Sequence, residues 1–232
     1  MKLIWGQGPA GAAAYWPEPR ESAPFRATAW LYSAPDSGNM GGGPSFARLT
    51  RGGARDMPEN ITHPDLRLLY GYWLGARHGQ PMPRRVDIDP TELPGRVWEH
   101  LTLADVVLES GVMRFRYRLV GEQLVDALGR NPVGEYYDTV LPNEGGYRDY
   151  VTGVYRTVVE TKKPYYTENT YTLAAQAVPM LTKRLTLPLS DDGVAVNMTL
   201  SSHYFEFPTA SHSYMVEGIS GFAELVRREL PG

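Results

Sequence analysis

The chain has 232 residues, 42% of them hydrophobic and 21% charged, with a formal net charge of -3 and no cysteine. That is apolar material for one good core; it excludes disulfides, thiol nucleophiles and cysteine metal sites, and it offers no basic surplus for nucleic acid. No apolar run reaches the roughly 18 residues a membrane helix needs, and Ala10-Gly11-Ala12-Ala13-Ala14 is too short for a secretory signal, so the chain reads as soluble and cytoplasmic.

Residues 1–60 are rich in Gly, Pro, Ala, Ser and Arg, and Ser37-Gly38-Asn39-Met40-Gly41-Gly42-Gly43-Pro44 holds no regular period. They read either as a disordered tail or as sequence upstream of a start at Met40 or Met57. Order is predicted from Thr62. Thr62-His63-Pro64-Asp65 resembles a capping box, and Leu66, Leu69, Tyr70, Trp73 and Leu74 follow at i, i+3, i+4, i+7 and i+8, one apolar helix face. Gly79 and Pro81 end that helix. In the loop that follows, Arg84, Arg85, Asp87 and Asp89 read as structural, the carboxylates capping and the arginines clamping the leading segment to the sheet.

The period then changes from 3.6 to 2. Leu101–Glu109 and Val112–Val120 read as strands joined at Ser110-Gly111. In the second strand Met113, Phe115, Tyr117 and Leu119 share one face, and Arg114, Arg116 and Arg118 the other. A solvated face is the preferred account of the arginines; its rival pairs them with Asp65, Asp105 or Glu109 under a cover. Residues 121–128 make a short helix closed by Gly129, and residues 144–160 a longer one built on Tyr147, Tyr150, Val151, Val154, Tyr155, Val158 and Val159. Three strands follow, at 164–173, 180–189 and 194–205, the last two joined by Ser190-Asp191-Asp192-Gly193. A final helix is expected over 211–230, with Met215, Ile219, Phe222, Leu225 and Val226 as its stripe.

Helix, hairpin, helices, three-strand meander is an α+β order with five antiparallel strands. Four segments carry a closer likeness: Leu68-Leu69-Tyr70-Gly71-Tyr72-Trp73; Met82-Pro83-Arg84-Arg85-Val86-Asp87-Ile88-Asp89-Pro90; Phe115-Arg116-Tyr117-Arg118-Leu119-Val120-Gly121-Glu122; and Arg184-Leu185-Thr186-Leu187-Pro188-Leu189-Ser190-Asp191-Asp192-Gly193. In this order they resemble the PAS domain family, in particular an alphaproteobacterial subgroup of single-domain proteins. The resemblance covers about residues 66–204 of a domain placed at 63–206, with 207–232 as a helical extension. It implies a PAS-like five-stranded antiparallel sheet with helices on one face, plus the leading helix and the C-terminal helix. It also implies a small-molecule cleft between sheet and helices, and a role in sensing and signal transduction. No ligand or cofactor identity carries over.

From the alternation, Phe115, Tyr117, Leu119, Val125, Tyr137, Tyr150, Val154, Leu185, Leu187, Met198 and Leu200 face the cleft. Each reads first as core packing; the 15 tyrosines favour a lining with polar tips. The five histidines show no metal spacing. No phosphate loop, dinucleotide fingerprint or nucleophile elbow is present, and Lys183 is the ionisable side chain nearest the cup. The expected function is therefore a non-catalytic regulatory domain that binds a small molecule or a signalling partner. A homodimeric adaptor with a filled core is the alternative, paired through the leading helix or the last one, and a small isomerase or hydratase ranks third.

Overall fold

The structure is a computed structural model that describes residues 4–5, 60–173, 179–206 and 219–232. The expectations for the first sixty residues therefore lie outside it, apart from Asn60 and the strand β1 (Ile4–Trp5). The further elements are α1 (Pro64–Ala76), α2 (Gly95–Trp98), β2 (Leu101–Glu109), β3 (Val112–Val120), α3 (Glu122–Leu128), α4 (Tyr137–Val140), α5 (Tyr147–Thr161), β4 (Tyr165–Leu173), β5 (Pro179–Leu189), β6 (Met198–Glu206) and β7 (Ile219–Glu229). One antiparallel sheet runs in the order β1-β3-β2-β6-β5-β4-β7.

Local chemistry explains most boundaries. Ser110 and Gly111 both take positive φ (51° and 81°), the geometry of a primed two-residue hairpin whose twist matches its strands. Gly129 closes α3 in the left-handed region, and Lys162 closes α5 the same way. The turn after β5 is tied by Asp192, whose Oδ1 accepts from the Val194 and Ala195 amides and from Ser190 Oγ. Those donors hold its carboxyl below the usual carboxylate range.

Three expectations need correction. The α1 cap is His63, whose Nδ1 accepts from the Asp65 amide at 3.3 Å; Thr62 instead bonds across to Tyr166 and Glu168 of β4. The last strand of the meander starts at Met198, not at 194, because the turn chemistry of Asp191, Asp192 and Asn197 occupies the intervening residues; Val194 is exposed. The expected C-terminal helix is not formed over 219–229. Those residues pair with β4 along its length, so the free ladder edge of β4 overrides a 3.6 pattern already weakened by Gly221. Met215 lies outside the described residues.

Helices cover both faces of the sheet. On one, Leu66, Leu69, Tyr70 and Trp73 of α1 are fully buried against Leu101, Leu103, Leu119, Tyr166, Leu185, Leu187, Leu189, Met198 and Leu200. Trp73 Nε1 donates to the Pro188 carbonyl at 2.9 Å. The apolar stripe of α1 is thus consumed by its own sheet and is not a free pairing surface. On the other face, α3, α4 and α5 cover Ala104, Phe115, Tyr117, Tyr171 and Met180.

The loop before β2 is structural in detail. Arg84 pairs with Asp87, Asp89 caps Thr91, and Arg85 donates through its amide to Asp191 and through Nη1 to the Ile88 carbonyl. The arginines of β3 are not simply solvated. Arg116 and Arg118 pair with Asp105, and Arg114 with Glu109 and Asp138, all three with only about a quarter of the side chain exposed or less. Asp65 pairs with Arg96 instead.

Candidate functional site

The cup lies between the sheet and α3–α5, and its sheet wall is polar. Register fixes which residues form it. Arg184 of β5 stands opposite Thr167 of β4 and His203 of β6; Thr182 stands opposite Asn169, and Thr186 opposite Ser201. All are buried. The helices supply Tyr137, Tyr147, Tyr150, Val151, Val154 and Tyr155. The central cavity is lined by Tyr117, Tyr137, Tyr147, Tyr155, Arg184 and His203, with Leu124, Leu141, Val151 and Phe205 as apolar parts. It has room for about one water molecule.

A short polar chain crosses it. Tyr155 OH is 2.5 Å from Ser201 Oγ and 3.3 Å from His203 Nε2. Arg184 Nη2 donates to Tyr147 OH at 3.3 Å, while Arg184 Nε and Nη1 and both amide atoms of Asn169 have no partner among the described residues. Burial pushes the phenols of Tyr117, Tyr137 and Tyr147 up, so they serve as neutral hydroxyls. Burial, with the Arg184 charge and His100 beside it, pushes the His203 imidazole well below its usual value.

This gives a pH dependence with a definite sign. In the unfolded chain His203 takes up a proton near its ordinary value of about 6.5; folded, it does so only at much lower pH. Its contribution is therefore complete above about pH 6.5 and declines as pH falls from there, by up to ~1.4 kcal/mol per pH unit. Urea unfolding between about pH 7 and pH 5, above the carboxylate range, is expected to show this slope. His203→Gln should reduce it, leaving the part contributed by His63 and His100, which burial also pushes down; an unchanged slope in that variant would assign the effect elsewhere.

Of the residues expected to face the cleft, Tyr117 and Tyr137 line the cavity. Phe115, Tyr150 and Val154 are in the same core, and Val125 packs against it half-buried. Leu119, Leu185, Leu187, Met198 and Leu200 are on the opposite face, under α1. Leu119 is turned there by a register shift between Leu103 and Ala104, where Arg118 is the extra residue of β3. The leucines of β5 and β6 keep their expected alternation, but the layer that covers them is α1, not α5. Lys183 also lies on the α1 side, paired with Glu206. Arg184 and His203, which sequence reasoning did not select, are the basic side chains that line it among the described residues. Their signal was present: Thr182, Arg184 and Thr186 alternate with leucines, and Thr199, Ser201 and His203 with Met198 and Leu200.

The profile of the PAS domain family matches residues 61–199, more than half of the chain. The chain belongs to the PAS domain family. Its matched region runs from the residue before Thr62 to the second residue of β6 and contains α1, the hairpin, α3–α5 and β5. The PAS family suggests a sensory or regulatory role. No curated protein matches the chain. In this PAS domain no helix among the described residues is long and apolar enough to cross a membrane, and no group of three or more potential metal ligands occurs among them.

Proposed function

We propose that this PAS domain is a bacterial sensor that takes a small molecule into the cup and passes the event to a partner protein without catalysing a reaction. The observation that carries this reading is the polar sheet wall. A solid PAS core would be expected to satisfy or avoid its polar groups, yet Arg184 and Asn169 are buried with bonding capacity to spare. A route outward exists in β5: Arg184 faces the cup, Leu185 and Leu187 face α1, and the Pro188 carbonyl holds Trp73. A shift of β5 on ligand entry would reach α1 through one strand.

A second reading has its own support. The cavity admits about one water, which favours an interaction module with a nearly filled core. With the α1 stripe buried, chains would then pair through another surface, such as the outer edge of β7, where Leu225 is 55% exposed. An enzyme reading would rest on His203, but among the described residues no carboxylate lines the cavity beside it.

Native mass spectrometry of the purified protein, followed by denaturation and analysis of what is released, separates these. A stoichiometric small molecule is the expected result. An empty protein that runs as a stable dimer would favour the interaction module.

A further inference from the structure

Arginines elsewhere in the fold, such as Arg96, Arg114 and Arg116, sit against carboxylates. Arg184 does not. Its side chain contacts Tyr147 OH at 3.3 Å through Nη2, and its Nε and Nη1 have no partner among the described residues, although the residue is only 2% exposed. A guanidinium stays charged in proteins and carries five N–H donors in a planar fork. A buried, unpaired cation costs several kcal/mol, and the groups around this one are hydroxyls, rings and a second potential cation, His203. The missing component is a negative charge, and the cavity is where Arg184 opens.

We propose that the cup is a receptor for a small monocarboxylic acid, its carboxylate held by Arg184 beside the Tyr147 and Tyr155 hydroxyls and its hydrocarbon end against Leu124, Leu141 and Val151. This rests on the reading of the cup as a ligand site. Planar donor forks match planar carboxylates, and the two tyrosine hydroxyls add hydrogen bonds. The apolar residues opposite set the rest: a short alkyl group, not a second charge. Space for about one water limits the acid to a few carbons and requires the wall carrying Leu124, Tyr137 and Leu141, on α3, on α4 and just beyond α4, to move outwards on binding.

The test is thermal unfolding of the full chain with sodium acetate, propionate and butyrate at constant ionic strength, against acetamide, propionamide and sodium chloride. The expected result is a saturable rise in Tm with the acids and none with the amides or chloride. Arg184→Met should lose the rise while its ligand-free Tm equals or exceeds that of the unsubstituted protein, since an apolar side chain removes a buried charge. If that variant does not fold, the ¹⁵N resonance of Arg184 Nε in the unsubstituted protein reads the same contact, and it should shift with the acids alone. Acids that leave both Tm and this resonance unmoved would overturn the proposal, as would an Arg184→Met variant that responds like the original or a chloride response equal to that of acetate. If a neutral compound is released in the mass-spectrometric experiment while the acids do nothing, the sensor reading survives and the acid assignment falls. If nothing is released and no acid binds, both fall.

Discussion

Trp73→Ala is expected to destabilise the domain by about 3–5 kcal/mol, the range for removing a large buried aromatic side chain. The indole is fully buried, stacks near Tyr70 at 6.3 Å and carries the Arg77 guanidinium 5.5 Å from its ring centre. Its loss also strips the Pro188 carbonyl of the 2.9 Å bond that ties α1 to β5, adding the cost of an unmet acceptor. Such a loss is a large share of the stability of most domains. Urea unfolding of a dilute sample measures it. A loss below about 1 kcal/mol, far under that range, would mean that α1 is not seated on its own sheet and that its stripe is available to another chain.

Gly121→Ala is expected to cost about 3 kcal/mol or more, by a different cause. Gly121 has an ordinary φ of -72°, so conformational freedom is not why glycine is there. A Cβ at this position would lie 2.4 Å from the Glu99 carbonyl oxygen and 2.5 Å from that of Trp98. Those are backbone atoms, and the same junction is pinned by the Gly121 amide to Leu101 O at 2.7 Å and the Gln123 amide to Glu99 O at 3.0 Å. Neither side can yield without parting α3 from the start of β2. Gly75→Ala is the matched control: nothing lies within 4 Å of a Cβ built there, in the last turn of α1, and it should stabilise by up to about 0.5–1 kcal/mol. Thermal or urea unfolding of the pair should move in opposite directions; two shifts of the same sign would refute the close-contact account of Gly121.

How much of this was legible in the sequence depended on which physical signal decided each element. The β2–β3 hairpin was legible to the residue, because Ser110-Gly111 names its own turn and the alternation on either side is clean. The faces of α1 and α5 were legible because a 3.6 repeat over several turns marks which side is buried. The cleft was harder. A period of 2 sorts a strand into two faces but does not say which cover each face meets, and both faces of this sheet are covered. Leu185, Leu187, Met198 and Leu200 are buried as expected, yet under α1. One comparison could have broken the tie: leucines suit the Leu- and Trp-bearing stripe of α1, and Thr, Ser, Arg and His suit the tyrosine-rich face of α5. Leu119 was beyond reach of alternation, since one inserted residue turns everything after it. The C-terminal strand was invisible because its reason to be a strand lies in β4, about fifty residues upstream along the ladder.

That last strand has a practical consequence for anyone shortening the chain. Residues 61–199 mark where the sequence is recognisably PAS, but they do not mark where the sheet is sealed. β7 covers the hydrogen-bonding edge of β4 from Tyr165 to Leu173, Phe222 rests against the rings of Tyr147 and Tyr150, and Tyr70 of α1 donates to the Pro231 carbonyl at 2.5 Å. A protein trimmed at residue 199 would lose most of β6 as well and would present a tyrosine- and threonine-rich strand with a bare row of amides and carbonyls, the template from which edge-to-edge aggregates grow.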